Sequence, residues 1–222
     1  MQPLLSKDGS VHVTDEFWNT AISAFGALLS LIGIAFLITR ADSTKSSLIV
    51  LAFAIYGFGL VNMFVSSALH HGVNGSAKTN HRLKQYDYYA ISLMIAGTFT
   101  PLCIVLLNST FGWTVLALMW AFAALGIALK AIFPNVPRWL TTALFIAMGW
   151  MGLIILKPLY HALHWDGFSL LLLGGLFYTV GGLIYVLEKP NPIPGKFGFH
   201  EIWHCFVLAG AASHFFVMGL YL

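Results

Sequence analysis

The sequence predicts an all-α, polytopic integral membrane protein with seven transmembrane helices, the N-terminus inside and the C-terminus outside. Three observations lead there. Charged residues are 9% of the 222-residue chain, against about 25% in soluble globular proteins. The hydrophobic set reaches 59% and mean hydropathy is +0.83, so a soluble fold would carry far more apolar surface than one core could hide. Finally, charge-free runs recur at about 20 residues, the length that crosses a hydrocarbon layer of about 30 Å.

The elements follow in order. A first span covers 17–39 and stops at Arg40; Arg40 to Lys45 is a short polar turn, and a second span covers 46–69. His70 to Tyr86, with Lys78, His81, Arg82 and Lys84, is expected to be a polar loop. From Tyr88 to Leu129 no charge occurs, too long a run for one crossing, and Asn108-Ser109-Thr110 divides it into spans at 88–107 and 112–130. Lys130 to Arg138, with Pro134 and Pro137, is the next loop, followed by a span at 139–156. Lys157 to Asp166 is expected to be a loop before a sixth span at 167–187. The proline-rich stretch from Glu188 to Lys196 leads into the seventh, at 198–222. With no internal repeat and no low-complexity tract, residues 1–222 read as a single seven-helix membrane domain. Lys7, Asp8, Asp15 and Glu16 leave no cleavable signal pattern at the start.

Basic residues set the orientation. Loops on the N-terminal side hold Lys7, Lys78, Arg82, Lys84, Lys130, Arg138, Lys189 and Lys196, while the opposite loops hold only Arg40, Lys45 and Lys157. That bias puts the N-terminus in the cytoplasm. The net charge of +3 is small, and membrane lipids, not nucleic acid, are the expected partners.

The chemistry lies where three helix ends meet. His200-Glu201-Ile202-Trp203-His204 sets two histidines one turn apart on one helix face, the way a helix offers two imidazoles to one zinc ion. The seven-helix topology brings the end of helix 2, with His71, and the start of helix 3, with Asp87, to the same leaflet. Ionisable groups inside a membrane cost several kcal/mol unless paired or coordinated. His71, His200 and His204 therefore read as zinc ligands, and Asp87 as a catalytic carboxylate. Ser67, one turn deeper than His71, is placed to bond a ligand or a water. His70 points about a quarter-turn away and is the weaker ligand. His12, His81, His161 and His164 read as interfacial, and His214, about 15 Å deeper than His204, as a buried hydrogen-bonding residue. Cys103 and Cys205 lie at different depths, cannot pair, and are expected to be packing residues.

Several motifs in order resemble one family over nearly the whole chain: Glu16-x-x-Asn19 with Gly26, Ser67-x-x-x-His71, Asp87-Tyr88 leading to Ile95-Ala96-Gly97-Thr98-Phe99-Thr100-Pro101, and His200 to His204 with His214. This is the hemolysin III branch of the progestin and adipoQ receptor family, which includes the adiponectin receptors. The resemblance implies seven helices, the sense opposite to that of G-protein-coupled receptors, and zinc near the cytoplasmic leaflet of, here, a bacterial plasma (inner) membrane. It puts the three ligands on His71, His200 and His204, the aspartate that holds the metal's water on Asp87, and the serine on Ser67. One departure stands out: the family's histidine seven residues after the helix 1 glutamate is Ser23 here.

The first expectation for function is a zinc-dependent hydrolase of a lipid amide or ester, ceramidase-like because family members have been linked to ceramide hydrolysis. The second is a sensor or regulator of membrane lipid state with structural zinc. A cytolytic pore ranks lower, since too few polar residues lie at mid-depth to line one. An intramembrane metalloprotease using Glu201 as base also ranks lower, since Glu201 points away from the face shared by the two histidines.

Overall fold

The computed structural model describes residues 16–42 and 46–222, so expectations resting on Lys7, Asp8, His12, Asp15 and Lys45 fall outside the described residues. Among the described residues the regular structure is helical, apart from an isolated bridge between Ile193 and Phe197. Its elements are α1 (Glu16–Asp42), α2 (Ser47–Gly72), α3 (Ala77–Pro101), α4 (Thr110–Ile132), α5 (Arg138–Trp150), α6 (Leu156–Leu187) and α7 (Phe199–Tyr221). A π-helical turn, Leu102–Leu107, extends α3, and a 3-10 turn, Met151–Ile155, links α5 to α6. Among the described residues, six stretches are long and apolar enough to cross a membrane. The fifth is a 50-residue run, Arg138–Leu187, that takes in α5 and α6.

Local chemistry explains the boundaries. Asn108 takes a left-handed conformation (φ 32°), which Asn tolerates better than most residues, and ends the π-helical turn. Ser109 then caps α4, its side chain accepting from the Gly112 N–H at 3.1 Å. Two expected loops are largely helical instead, the first keeping only residues 73–76 as a non-helical connection. Ser76 caps α3 through the Thr79 N–H at 3.2 Å, and no breaker follows, so Lys78, His81, Arg82 and Lys84 lie on the first turns of α3 and not in a loop. Between Lys157 and Asp166 the chain is helical on both sides of a single break at His164 (φ 52°).

The bundle is apolar outside and partly polar inside. Leu28, Ile32, Phe58 and Leu187 are exposed on its outer surface, whereas Asn19, Ser23, Ser66, Ser67, His71 and His204 are buried. Burial of this kind is tolerable only where polar groups meet one another. α1 packs along α2 and α7, α2 along α3, and α6 along α7. Two glycines let α2 and α3 meet backbone to backbone: a Cβ at Gly59 would sit 3.1 Å from the Met94 Cα, and one at Gly97 3.3 Å from the Ile55 carbonyl. Small residues at such contacts drive helix association in membranes.

Both ends of α1 are tied down. Near its C-terminal end Arg40 donates to the Gly219 carbonyl of α7, and at its start Glu16 meets α2. At that same end of the bundle, Arg138 pairs with Glu188 at 2.7 Å and lies over the Tyr185 ring at 4.7 Å, while Lys130 lies over Tyr88 at 4.3 Å. Aromatic faces thus hold two cations at the rim of the buried polar group.

Gly97→Val should separate α2 from α3 and cost about 1–3 kcal/mol. Thermal unfolding in detergent reads this as a lowered midpoint; an unchanged midpoint would refute the backbone contact.

Candidate metal centre

Two helices supply the three histidines. His71 lies in the last turn of α2, while His200 and His204 lie in the first two turns of α7. Their four-residue spacing stacks the His200 and His204 rings at 4.9 Å and 26°, and the His71 ring meets both edge-on at 4.9 and 5.0 Å. All three residues are buried, and one ligand nitrogen from each lies within 4.8 Å of the others. The Nε2 atoms of His71 and His204 are 3.2 Å apart. Two nitrogens on one tetrahedral zinc, with bonds of about 2.0–2.1 Å, sit about 3.3 Å apart, so the donor set fits that ion. These are the three histidines named from sequence, and the structure brings them together.

Glu16 completes the far side of His71. Its Oε2 lies 2.6 Å from His71 Nδ1, and Asn19 Nδ2 donates to the same oxygen at 3.4 Å. The sequence motif joining Glu16 to Asn19 is thus an acceptor and its support, a role that sequence reasoning did not assign.

Asp87 opens toward the cluster from α3, its carboxylate within 4.8 Å of ligand nitrogens on His70 and His71. The hydroxyl that bonds it belongs to Ser66, at 3.3 Å. Ser67 instead meets Ser23 of α1 at 3.0 Å. The small residue in place of the family's helix 1 histidine therefore pairs with the serine singled out from sequence. His70 is closer to the centre than a quarter-turn offset suggests: it is buried, its ring 4.6 Å from that of His71.

A cavity of about 170 Å³ begins at Asp87, Ser67 and His204 and runs into the bundle. Its walls are mainly apolar, with Ile91, Met94, Phe99 and Val207 among them. It extends to His214, about 15 Å along α7 from His204 at ~1.5 Å per residue. His214 is held as expected, its Nε2 bonding the Leu171 carbonyl at 3.1 Å. The cavity also reaches the outer face of the bundle. Leu153, 53% exposed, lines it, and Gly149 and Gly175 border it with nothing within 4 Å of a built Cβ.

Other candidates sort out plainly. Glu201 is fully buried and its carboxylate accepts the Gly198 N–H at 2.7 Å, so it caps α7 and does not face the histidines. His81, His161 and His164 are exposed. Cys103 is buried as expected, but Cys205 is exposed on the outer surface of the bundle and is not a packing residue. The reason is its place on α7, about 100° around the helix from the buried His204.

These features define a multi-pass helical membrane protein with a buried histidine cluster at one end and an apolar cavity beneath it. The chain belongs to the haemolysin-III related family, whose model matches residues 11–215. It is 38% identical to a hemolysin-3 homolog of Bacillus subtilis (strain 168), across 94% of this chain and 95% of that protein. Identity to hemolysin-3 of Bacillus cereus is 37%, across 94% of this chain and 92% of the relative. A more distant relative, the heptahelical transmembrane protein ADIPOR3 of Oryza sativa subsp. japonica, is 28% identical across 73% of this chain and 44% of its own length.

If Glu201 is a cap, Glu201→Ala should lower stability by about 0.5–2 kcal/mol while Glu201→Gln, which keeps an acceptor oxygen, loses less. Thermal melts of both variants in detergent check this, and equal losses would count against the capping role.

Proposed function

We propose that this protein is a zinc-dependent hydrolase of a lipid amide or ester, working in the cytoplasmic leaflet of a bacterial inner membrane. The observation that carries the reading is the continuity between the histidine cluster and the apolar cavity, with the Asp87 carboxylate at their junction. A metal alone would suit a structural role. A metal opening onto an acyl-sized apolar space, beside a carboxylate, suits chemistry on a lipid.

His71, His200 and His204 would hold the ion. Zinc, when bound, supplies an electrophile that polarises an acyl carbonyl and makes a water acidic. The protein's own groups do the rest. Asp87, held by the Ser66 hydroxyl, accepts a proton from the attacking water and returns it to the leaving group. The apolar walls take the acyl chain and keep bulk water from the reacting carbonyl. A substrate arrives sideways from the bilayer at the opening bordered by Gly149 and Gly175.

The same reading includes seven crossings with the N-terminus in the cytoplasm. The Arg138–Leu187 stretch would extend about 75 Å as one helix, more than twice a ~30 Å hydrocarbon layer, which favours two crossings divided near His164. The basic residues Lys84, Lys130 and Arg138, gathered at the histidine end, favour that end as the cytoplasmic one. The mainly apolar lining argues against a water-filled cytolytic pore.

Purified protein incubated with a broad panel of acylated lipids, including ceramides, should release fatty acid in a zinc-dependent way. Asp87→Ala should lose about 10²- to 10⁴-fold in turnover while keeping its metal. No release from any lipid would sink the hydrolase reading, and metal retention together with unimpaired signalling or lipid-response phenotypes in Asp87→Ala would favour a sensor with structural zinc.

A further inference from the structure

The geometry points to Glu16 as the positioning residue of the metal centre: its carboxylate fixes the His71 ring so that Nε2, not Nδ1, faces the ion. This inference rests on the zinc reading of the histidine cluster and adds a residue to it.

An imidazole offers one lone pair in its neutral form, and the partner of the other nitrogen decides which. An ionised carboxylate can only accept, so a neutral His71 ring bonded to Glu16 at 2.6 Å must carry its proton on Nδ1. The lone pair then lies on Nε2, the nitrogen 3.2 Å from His204 Nε2. A carboxylate behind a metal-bound histidine fixes tautomer and ring orientation and raises ligand basicity.

The placement of Glu16 suits this task. The Glu16 side chain is 22% exposed and the His71 side chain 1%, so the charge keeps contact with water while the ring it holds is buried. Glu16 opens α1, where the helix N-terminus favours a negative charge. Asn19, fully buried one turn on, donates to the same carboxylate oxygen, and Thr20 Oγ1 bonds the Glu16 carbonyl at 2.8 Å. Asn19 therefore supports the carboxylate, and Thr20 the backbone that carries it, where His71 needs them. The pair also joins α1 to α2 at the metal end, so that α1, which supplies no ligand, shapes the ligand set.

The test is zinc affinity in detergent, measured by competition with a chromogenic chelator, with the visible spectrum of the cobalt-substituted protein as a second readout. Glu16→Ala should weaken zinc binding about 10- to 100-fold and alter the cobalt spectrum. Glu16→Gln, which still accepts from Nδ1–H through its amide oxygen, should recover much of that loss; it also serves if the alanine variant fails to fold. His161→Ala, at an exposed histidine, should match the unmodified protein. Unmodified protein that binds zinc while both Glu16 variants bind it equally well, with unchanged cobalt spectra, would overturn the inference and leave the metal centre standing. Unmodified protein that binds no zinc would overturn the metal centre and the inference together.

Discussion

The hydrogen bond between Glu16 and His71, and the 3.2 Å approach of His71 to His204, are the contacts on which the rest of the arrangement depends. A bundle whose outer surface is leucine, isoleucine and phenylalanine gains little from apolar contact between helices, because lipid is as apolar as its own side chains. What selects one packing is the cost of leaving polar groups unmet. Three histidines, a glutamate and an aspartate on four helices can be satisfied together only if α1, α2, α3 and α7 bring their ends to one place. The close backbone contacts at Gly59 and Gly97 then allow α2 and α3 to stand near enough for Ser66 to reach Asp87.

This constraint also separates the polar cluster from the apolar cavity. The polar groups gather at one end, while the cavity beneath is walled mainly by apolar side chains and opens on the outer face of the bundle. The break at His164 and the 3-10 turn at Met151–Ile155 leave α5 and the first part of α6 less regular than the α1–α2–α3 side. Irregular backbone is therefore found beside the opening, and continuous helix behind the histidine cluster.

Much of this was legible in the sequence because its signals are local or topological. Charge-free runs mark the helices, Asn108-Ser109 marks a break, and the four-residue spacing of His200 and His204 puts both on one face. Parity of helix direction alone brings His71 and Asp87 to the same end as α7. What was not legible depends on a fraction of a turn or on a partner from another helix. Ser66 and Ser67 differ by about 100° around α2, and only the rotation of that helix decides that Ser66 meets Asp87 while Ser67 meets Ser23. The role of Glu16 needs α1 and α2 docked together. Polar residues from Lys78 to Lys84 suggested a loop because hydropathy reports the membrane boundary, whereas the helix itself starts at the Ser76 cap. Cys205 read as packing because an apolar neighbourhood looks alike whether it faces protein or lipid.

The most direct test of the account is X-ray absorption at the zinc edge on protein purified with zinc present, with metal content measured on the same sample. The account predicts one zinc per chain and a first shell with three imidazole nitrogens at about 2.0–2.1 Å. Absence of stoichiometric zinc, or a shell dominated by sulfur or by oxygen without imidazole, would contradict it.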